Sequence, residues 1–324
     1  MDDRLGVDGS FTRHAKRLIC LAGASWGYHT ASKNLRELSG LTVSGGSVRN
    51  ISQAEGAKMS RWRRESPESA EAFQKSDGRV EFTTDGTCVN TMDGWREMRV
   101  GIFSKRKKGE PASVENWDSR ELPTPHVRRA IASVETAERF TSRWRRWGVR
   151  LGIRDSRSID VLADGAPWIW DAASMHFAGC SGCLDIYHAL EHVADAAKGL
   201  FQESENADAW ADSAKHALLM GGWPGMFDLL CETRREVSRG RWKNHGRPLY
   251  NYLARRAEQL NYPERLAAGL PIGSGQVEGA CKNLVGRRLK QTGARWRIRR
   301  LNRMASLCSL VYSDLWDQYW TSSA

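Results

Sequence analysis

Apolar residues in the N-terminal part of the chain recur at the spacing of an amphipathic helix. Three helices are predicted there, over residues 12–26, 28–38 and 44–53. The last two are joined by a short turn that contains Gly40, which is typical of a helix-turn-helix. Arg49 and Asn50 would then lie near the exposed start of the second helix of that pair, where they could contact DNA. Many helical hairpins with this pattern bind nothing.

From residue 79 onward the pattern changes to the alternation expected of strands. Strands are predicted over residues 79–84, 95–103, 158–163 and 182–186. Helices are predicted over residues 125–150 and 187–200, and from about residue 276. This mixture indicates an α/β core. The polar segment before it, residues 57–78, is predicted to be a helical linker or a mobile arm.

Charge is distributed unevenly along this basic chain. Lys and Arg total 49 against 38 Asp and Glu, a net charge of +11. Residues 1–150 carry +8, residues 151–230 carry −8 and residues 231–324 carry +11. Residues 281–303 hold nine basic side chains and no acidic one, which favours a surface that follows phosphates over a merely solvated helix face. The absence of a long apolar run or a secretory signal predicts a cytoplasmic protein without a membrane span.

Two of the predicted strands end in the same pair of residues, Asp-Gly, at Asp85 and Asp164. In neighbouring strands these carboxylates would emerge side by side, and adjacent carboxylates repel each other unless a cation neutralises them. Glu278, at the start of the basic helix, could complete a set of oxygen ligands of the kind that Mg²⁺ prefers. Two such ions can activate an attacking oxygen and stabilise the leaving oxygen of a phosphodiester. In a chain with 38 acidic residues, a triplet of this kind can also arise by chance.

A second possible metal site involves thiols. Cys180 and Cys183 precede His188 and His192, and together these side chains could form a zinc site. A single Cys-x-x-Cys pair is a weak signal, so buried thiols and a histidine pair satisfied on a core helix are the alternative.

The chain resembles the DDE transposases of bacterial insertion sequences, most closely the Kra-type family, which is distantly similar to Mutator-like transposases. The resemblance rests on an ordered set of segments: TTDGT (83–87), WREMRVG (95–101), LADGAPWIW (162–170), DIYHALEHV (185–193), GSGQVEGACK (273–282), RLKQTGARW (288–296) and WDQYW (316–320). It implies an RNase H-like mixed sheet with flanking helices and a helical insertion before the last catalytic helix. It also implies that Asp85, Asp164 and Glu278 are catalytic and hold two Mg²⁺ ions, for which Mn²⁺ could substitute.

The expected division of the chain follows from this resemblance. A helix-turn-helix-like DNA-binding module spans 1–56, a linker 57–78, the first part of the catalytic core 79–195, a helical insertion 196–270 and the C-terminal helices of the core, with the basic run, 271–324. The expected DNA contacts combine the Asp-x-x-His pattern, the basic run and the helix-turn-helix: Asp185, His188, Lys282, Arg287, Arg288, Lys290, Arg295, Trp296, Arg297, Arg49 and Asn50. Trp296, between two arginines, could stack on an unpaired base.

The resemblance implies an enzyme that cleaves double-stranded DNA at the ends of an element and transfers the freed strand to target DNA. A homo-oligomer on the DNA is expected. The alternative is a shortened, non-catalytic relative that binds DNA as a repressor, because relatives usually carry additional N-terminal DNA-binding residues. A nuclease with the same core but without strand transfer is a lesser option.

Overall fold

The computed structural model describes residues 7–8, 11–153 and 155–322. Its centre is a five-stranded mixed sheet flanked by helices. A small hairpin, β1 with β2, precedes the first helix. The strands are β1 Val7–Asp8, β2 Phe11–Thr12, β3 Arg79–Thr91, β4 Gly94–Arg106, β5 Val127–Ser133, β6 Ile159–Ala163 and β7 Ser181–Leu184. The α/β class predicted from the sequence is therefore confirmed.

Helices make up most of the rest of the described chain. They are α1 Arg13–Ser25, α2 Tyr28–Ser39, α3 Gly45–Glu65, α4 Glu68–Lys75, α5 Ala137–Thr141, α6 Trp144–Arg150, α7 Pro167–His176, α8 Ile186–Leu200, α9 Ser204–Glu236, α10 Arg239–Arg241, α11 Arg247–Ala254, α12 Tyr262–Ala267, α13 Gly275–Ala280, α14 Arg287–Leu289, α15 Ile298–Tyr312 and α16 Trp316–Ser322. Two π-helical turns join α10 to α11 and α13 to α14, over Trp242–Gly246 and Cys281–Gly286. Two 3₁₀ turns cover Ser156–Ser158 and Ala257–Gln259.

The strands of the central sheet follow the order β5-β4-β3-β6-β7. β3, β4 and β5 pair antiparallel, whereas β6 runs parallel to β3 and β7 runs parallel to β6. The turn predicted at Asp93-Gly94 joins β3 to β4, and Gly94 adopts a φ of 88° there. The parallel half matters for function, because it aligns the carboxyl ends of β6 and β7 beside the middle of β3.

Aromatic side chains fill one face of the sheet. Phe82 of β3 and Phe103 of β4 lie with their ring centroids 4.5 Å apart, and Trp144 of α6 and Phe177 complete the cluster. The opposite face packs Val100 and its neighbours on β4 against α13 and α15. Both faces are thus covered, as in α/β proteins generally.

The three predicted N-terminal helices are present. Thr12 and Ser44 cap α1 and α3 with their hydroxyl groups, which accept hydrogen bonds from backbone amides three residues on, and Gly40 ends α2 at a φ of 69°. The third helix is longer than predicted and continues to Glu65, because Met59 is buried against the core. The segment predicted as a linker is therefore largely helical.

The prediction of a continuous helix over residues 125–150 is wrong. Its first part is the strand β5, followed by the short helices α5 and α6. Val127 and Ile131 have helical spacing, but Ile131 packs on the aromatic face while Ala130 packs on the opposite one. A strand that is covered on both faces shows no clear alternation, so its sequence does not distinguish it from a helix.

Residues 196–270, predicted as a helical insertion, form the end of α8 and α9 to α12, whose hydrophobic core is shared with Leu162 of β6 and Leu184 of β7. α9 kinks at Gly222, which has a φ of 55° and a ψ of −136°. None of the helices in the described part of the chain has the length and apolarity that a membrane span requires.

We predict that Gly222→Ala destabilises the protein by roughly 2–4 kcal/mol. The positive φ disfavours any side chain, and a Cβ atom here would lie 2.4 Å from the carbonyl oxygen of Leu260. Urea unfolding followed by circular dichroism measures the change. Gly221→Ala is the matched control, since a Cβ atom at that position meets nothing within 4 Å. The control should be as stable as the parent or up to about 1 kcal/mol more stable, and equal losses in both variants would contradict the role of the kink.

Candidate active site

Three aspartates occupy one row across the parallel half of the sheet. Thr84 of β3 pairs with Ala163 of β6, and Ala163 pairs with Leu184 of β7, so the next residue of each strand is an aspartate: Asp85, Asp164 and Asp185. Adjacent strands are about 4.8 Å apart. Asp85 does not end its strand as the sequence predicted, because β3 continues to Thr91 through Asp85 and Gly86.

Asp85 shares its environment with the other two acids of the predicted triplet. Burial is the largest cause that raises its pKa, and the carboxylates of Asp164 and Glu278 raise it further. The backbone N–H of Gly86, which donates to Asp85 Oδ1 over 2.6 Å, and the charge of His188 act in the opposite direction. The structure therefore brings Asp164 and Glu278 within electrostatic range of Asp85.

Asp164 begins the turn between β6 and α7. Its Oδ1 accepts a hydrogen bond from the N–H of Ala166 over 2.9 Å, and Trp170 Nε1 donates to its carbonyl oxygen over 2.8 Å. Gly165 provides room for Tyr252 of α11, whose hydroxyl would lie 2.2 Å from a Cβ atom at that position. Burial raises the pKa of Tyr252 to about 12. A neutral phenol therefore lies beside Asp164, contributed by the helical insertion, and no sequence pattern pointed to it.

Glu278 lies in the first turn of α13. Its side chain is 48% exposed and forms a loose ion pair with Lys282, with 3.8 Å between Oε2 and Nζ. Gln276 in the same turn donates a hydrogen bond to Glu81 of β3, and the N–H of Ser274 donates to Asp185. These two bonds fix the start of α13 to the sheet, so that Glu278 lies beside the aspartate row.

A second carboxylate pair on the same face is fully neutralised. Glu81 and Asp160 are paired positions of β3 and β6, four residues before Asp85 and Asp164, and both are buried. Arg106 binds Glu81 at 2.8 Å, while Arg265, at 3.1 Å, and Arg79 bind Asp160.

The pair formed by Asp85 and Asp164, which we call the upper pair, receives no such compensation. Among the described residues, no Lys or Arg forms an ion pair with Asp85 or Asp164. Two nearby carboxylates without a protein cation favour binding of a metal ion.

The donor set fits a hard divalent cation in its chemistry. Asp85, Asp164 and Glu278 supply only oxygen ligands. Burial, together with the neighbouring carboxylates, raises the pKa of Asp85, so a bound cation would favour its ionised form. In the described part of the chain, however, no three Asp, Glu, His or Cys side chains are gathered closely enough to coordinate an ion as they stand. Asp85 and Asp164 each turn one oxygen toward a backbone N–H, and Glu278 reaches Lys282. Metal binding therefore requires changes of rotamer, for which the half-exposed Glu278 has room.

The structure corrects the prediction that Asp185 contacts DNA. Asp185 is fully buried, and its carboxylate accepts hydrogen bonds from the N–H groups of Tyr187 at 2.8 Å, His188 at 3.1 Å and Ser274. It caps α8 and holds the loop that leads to Glu278. His188 is different, because its side chain is 42% exposed and its charge acts on Asp85.

The thiols near the site are buried rather than arranged for zinc. Burial raises the pKa of Cys180 to about 11 and that of Cys183 to about 12, so both are neutral thiols at pH 7. Cys281 lies close enough to Asp85 and Glu278 for their charges to raise its pKa, which burial brings to about 12. Since the described residues contain no cluster of metal-ligating side chains, the zinc interpretation gains no support.

Two of the predicted DNA contacts in the basic run are buried. Arg288 donates through Nε to the carbonyl oxygen of Gly23 at 2.6 Å, and its guanidinium lies between the rings of Tyr28 and Trp296, 4.6 and 5.1 Å from their centroids. Trp296 donates through Nε1 to the carbonyl oxygen of Leu289 at 3.0 Å. Both side chains hold the N-terminal helices against the C-terminal segment, and their small exposed parts line the groove at this surface. Stacking of Trp296 on a base stays a prediction.

The other predicted contacts on the helix-turn-helix and the basic run are exposed. They are Arg49, Asn50, Lys282, Arg287, Lys290, Arg295 and Arg297. Arg49, Arg295, Arg297 and Arg300 line a groove of about 450 Å³ where α3 meets the C-terminal segment; we call it the arginine groove. Lys290 donates to Thr87 Oγ1 at 2.8 Å, two residues beyond Asp85. Basic side chains therefore extend from this groove to the aspartate row.

Comparison with known proteins gave no match to any protein-family model or to any curated protein.

We predict that Asp85→Asn makes the protein more stable at pH 7, with a melting temperature about 1–3 °C higher. Burial and the neighbouring carboxylates raise the pKa of Asp85, so the folded state loses stability as the pH rises through that pKa and the carboxyl group ionises. Thermal unfolding between pH 4 and pH 8 measures the difference, which should shrink toward pH 4. Asp93→Asn, in the exposed turn of the β3–β4 hairpin, is the control. A variant that is less stable than the parent at pH 7 would refute this account of Asp85.

We predict that Asp185→Ala lowers the free energy of unfolding by roughly 2–5 kcal/mol. The substitution leaves three backbone N–H groups without their acceptor. Urea unfolding measures the loss. Asp185→Asn retains one acceptor oxygen and should lose less, and equal stability of Asp185→Ala and the parent would show that the carboxylate does not hold the loop.

Proposed function

We propose that the protein is a DDE-type transposase that uses divalent metal ions to cut DNA and join its strands. One observation carries the proposal: Asp85 and Asp164 follow the paired residues Thr84 and Ala163 of parallel strands, no Lys or Arg among the described residues forms an ion pair with either, and the charge of Glu278 acts on Asp85. The buried pair of Glu81 and Asp160 shows the contrast, because three arginines form ion pairs with it. Ligand carboxylates of a metal centre are expected to lack such ion pairs, as Asp85 and Asp164 do among the described residues.

The architecture supports an RNase H-like assignment of this core. The resemblance implies a mixed sheet, two of its strands followed by catalytic aspartates, and a helical insertion between the last strand and the glutamate helix. The chain has β7 as its last strand, then α8 to α12, and then α13 with Glu278. The predicted order of elements therefore agrees with the proposed family, which the fold alone does not establish.

In the proposed reaction, Asp85, Asp164 and Glu278 hold the metal ions. Two bound Mg²⁺ ions, or Mn²⁺ in their place, would supply activation of the attacking oxygen and charge stabilisation for the leaving oxygen. Burial raises the pKa of the Tyr252 hydroxyl to about 12, which keeps it protonated beside Asp164 so that it can donate a hydrogen bond toward the substrate. His188 is half exposed, and its charge acts on Asp85 from the same edge.

Exposed basic side chains near the aspartate row provide a surface on which DNA would bind. The arginine groove and the exposed Lys282, Arg287 and Lys290 supply basic side chains, of which Lys290 contacts Thr87 and Lys282 pairs with Glu278. Basic side chains in such an arrangement position the backbone of a nucleic acid without reading its sequence. Double-stranded DNA is therefore the proposed partner, bound by an oligomer of this chain.

We predict that the protein cleaves duplex DNA in Mg²⁺ or Mn²⁺ and not in EDTA. Asp85→Asn, Asp164→Asn and Glu278→Gln should each lower the rate by about 10²–10⁴-fold, because each removes a metal ligand, while DNA binding persists. A gel assay of labelled DNA measures cleavage and strand joining. Asp171→Asn, on the exposed side of α7, is the control and should cleave normally.

Three other outcomes would change the proposal. Triplet variants that cleave as fast as the parent would exclude these carboxylates as ligands. Salt-sensitive DNA binding by the parent without cleavage in either metal would favour the repressor. Cleavage without joined products would favour a nuclease.

A further inference from the structure

The helical insertion has a groove separate from the aspartate row. It opens between the second half of α9 and α11, has a volume of about 1330 Å³ and is closed at one side by α10 and the π turn; we call it the insertion groove. Small-molecule sites usually have volumes of about 300–1,000 Å³. The size therefore suits an extended ligand.

Cations dominate the polar lining of the insertion groove. Arg234, Arg239, Lys243 and Arg247 line it, all four are exposed, and the lining contains no acidic residue. The ion pairs that the insertion forms lie elsewhere: Lys198 with Asp195, Lys215 with Asp212 and Arg265 with Asp160.

Acidic residues of α9 are kept away from this groove. Phe227, Leu230, Cys231 and Arg234 line it, at the spacing of one helix face. The acids of the same stretch, Asp228, Glu232 and Glu236, recur every four residues on another face. The acidic side chains of this stretch therefore point away from the groove, whose lining includes Arg234, and a lining with cations and no acid complements a polyanion.

An aromatic cluster adjoins the cations. Phe227 and Tyr250 line the groove with their ring centroids 6.3 Å apart, and Trp223 packs against both, at 5.8 and 5.7 Å. Phe227 is 38% exposed although it is apolar. Cations beside exposed aromatic faces are the combination that holds single-stranded nucleic acid, because cations contact phosphates while rings stack on bases.

We propose that the insertion groove binds a single strand of DNA, with Arg234, Arg239, Lys243 and Arg247 on its phosphates and a base against Phe227. The proposal rests on the proposed function for its substrate, since strand cleavage and transfer expose single-stranded DNA ends. A paired duplex presents its bases edge-on inside the helix and leaves no base face for Phe227. The preference for an unpaired strand is therefore the specific claim.

The test measures binding of the full chain to a fluorescent oligothymidine strand of 12 nucleotides in EDTA, which removes any contribution from metal-dependent chemistry. Arg234→Gln/Lys243→Gln should weaken binding about 10-fold and lower the slope of log K against log salt by about 1.4, or about 0.7 for each lost phosphate contact. Phe227→Ala should weaken binding at least about 5-fold without changing that slope. Circular dichroism and thermal melting verify that each variant is folded.

The matched control is Arg235→Gln/Arg255→Gln, which removes the same charge from exposed positions that do not line the groove. It should bind within about twofold of the parent. Equal weakening in both double variants would show that only the total charge matters and would overturn the proposal. A Phe227→Ala variant that binds as well as the parent would overturn it too.

Position and preference are tested directly. A strand that carries 5-iodouracil should crosslink, on irradiation, to a peptide within residues 223–251. Crosslinks confined to residues 281–303 would place the strand on the basic run and overturn the proposal. A greater loss of duplex binding than of single-strand binding in Arg234→Gln/Lys243→Gln would overturn it too. A change of oligomeric state in sedimentation with unchanged strand binding would assign the groove to a second copy of the chain instead.

The outcome is independent of the chemistry proposed for the aspartate row. Groove-dependent strand binding together with absent cleavage in any metal would leave this inference standing and remove the transposase. Normal cleavage of duplex DNA by the parent, together with groove variants that still bind the single strand as well as the parent, would remove this inference and leave the transposase standing.

Discussion

The in-register parallel pairing of β3, β6 and β7 is the constraint on which the rest of the site depends. Register alone places Asp85, Asp164 and Asp185 in one row on one face. A slip of one residue would turn Asp164 toward the aromatic core around Phe82 and would separate Asp160 from its arginines. The hydrophobic core and the buried ion pairs therefore specify the same register that the acidic edge requires.

Carboxylates on this face receive two opposite treatments. The lower pair, Glu81 and Asp160, is buried with three arginines and a glutamine, and removal of one partner from such a network is costly because it leaves a buried charge. The upper pair retains its mutual repulsion. The network therefore holds β3 and β6 in the positions that keep Asp85 and Asp164 together despite their repulsion. Arg265 connects it to α12, and Gln276 connects it to α13.

The sequence predicted the parts of the fold whose patterns are local. The starts of the three N-terminal helices were predicted to within one residue, because each depends on residues only a few positions away. β5 was mistaken for a helix, since both its faces are covered and its alternation is lost. The end of β3 was misplaced because Asp85-Gly86 has the composition of a turn although pairing with β4 continues through it.

Predictions for the site divide in the same way. The aspartates after β6 and β7 could be read from strand ends, and the exposed lysines and arginines of the basic run from charge density. Burial of Asp185, Arg288 and Trp296 depends on segments far away in the chain, so no local pattern distinguishes them from surface contacts. Tyr252 had no signal at all, because only the packing of the insertion against Gly165 brings it to the row.

The packing of the N-terminal helices has a consequence for where DNA would be cut. Gln53 of α3 donates to the carbonyl oxygen of Arg300 at 3.0 Å, and Gly56 lies so close to Arg303 that a Cβ atom would come within 2.4 Å of its carbonyl oxygen. These helices are clamped to the core rather than tethered by a flexible arm. If α3 reads base pairs and the proposed site cleaves DNA, this packing fixes the distance between them. The number of nucleotides between the recognised sequence and the scissile bond would then be constant.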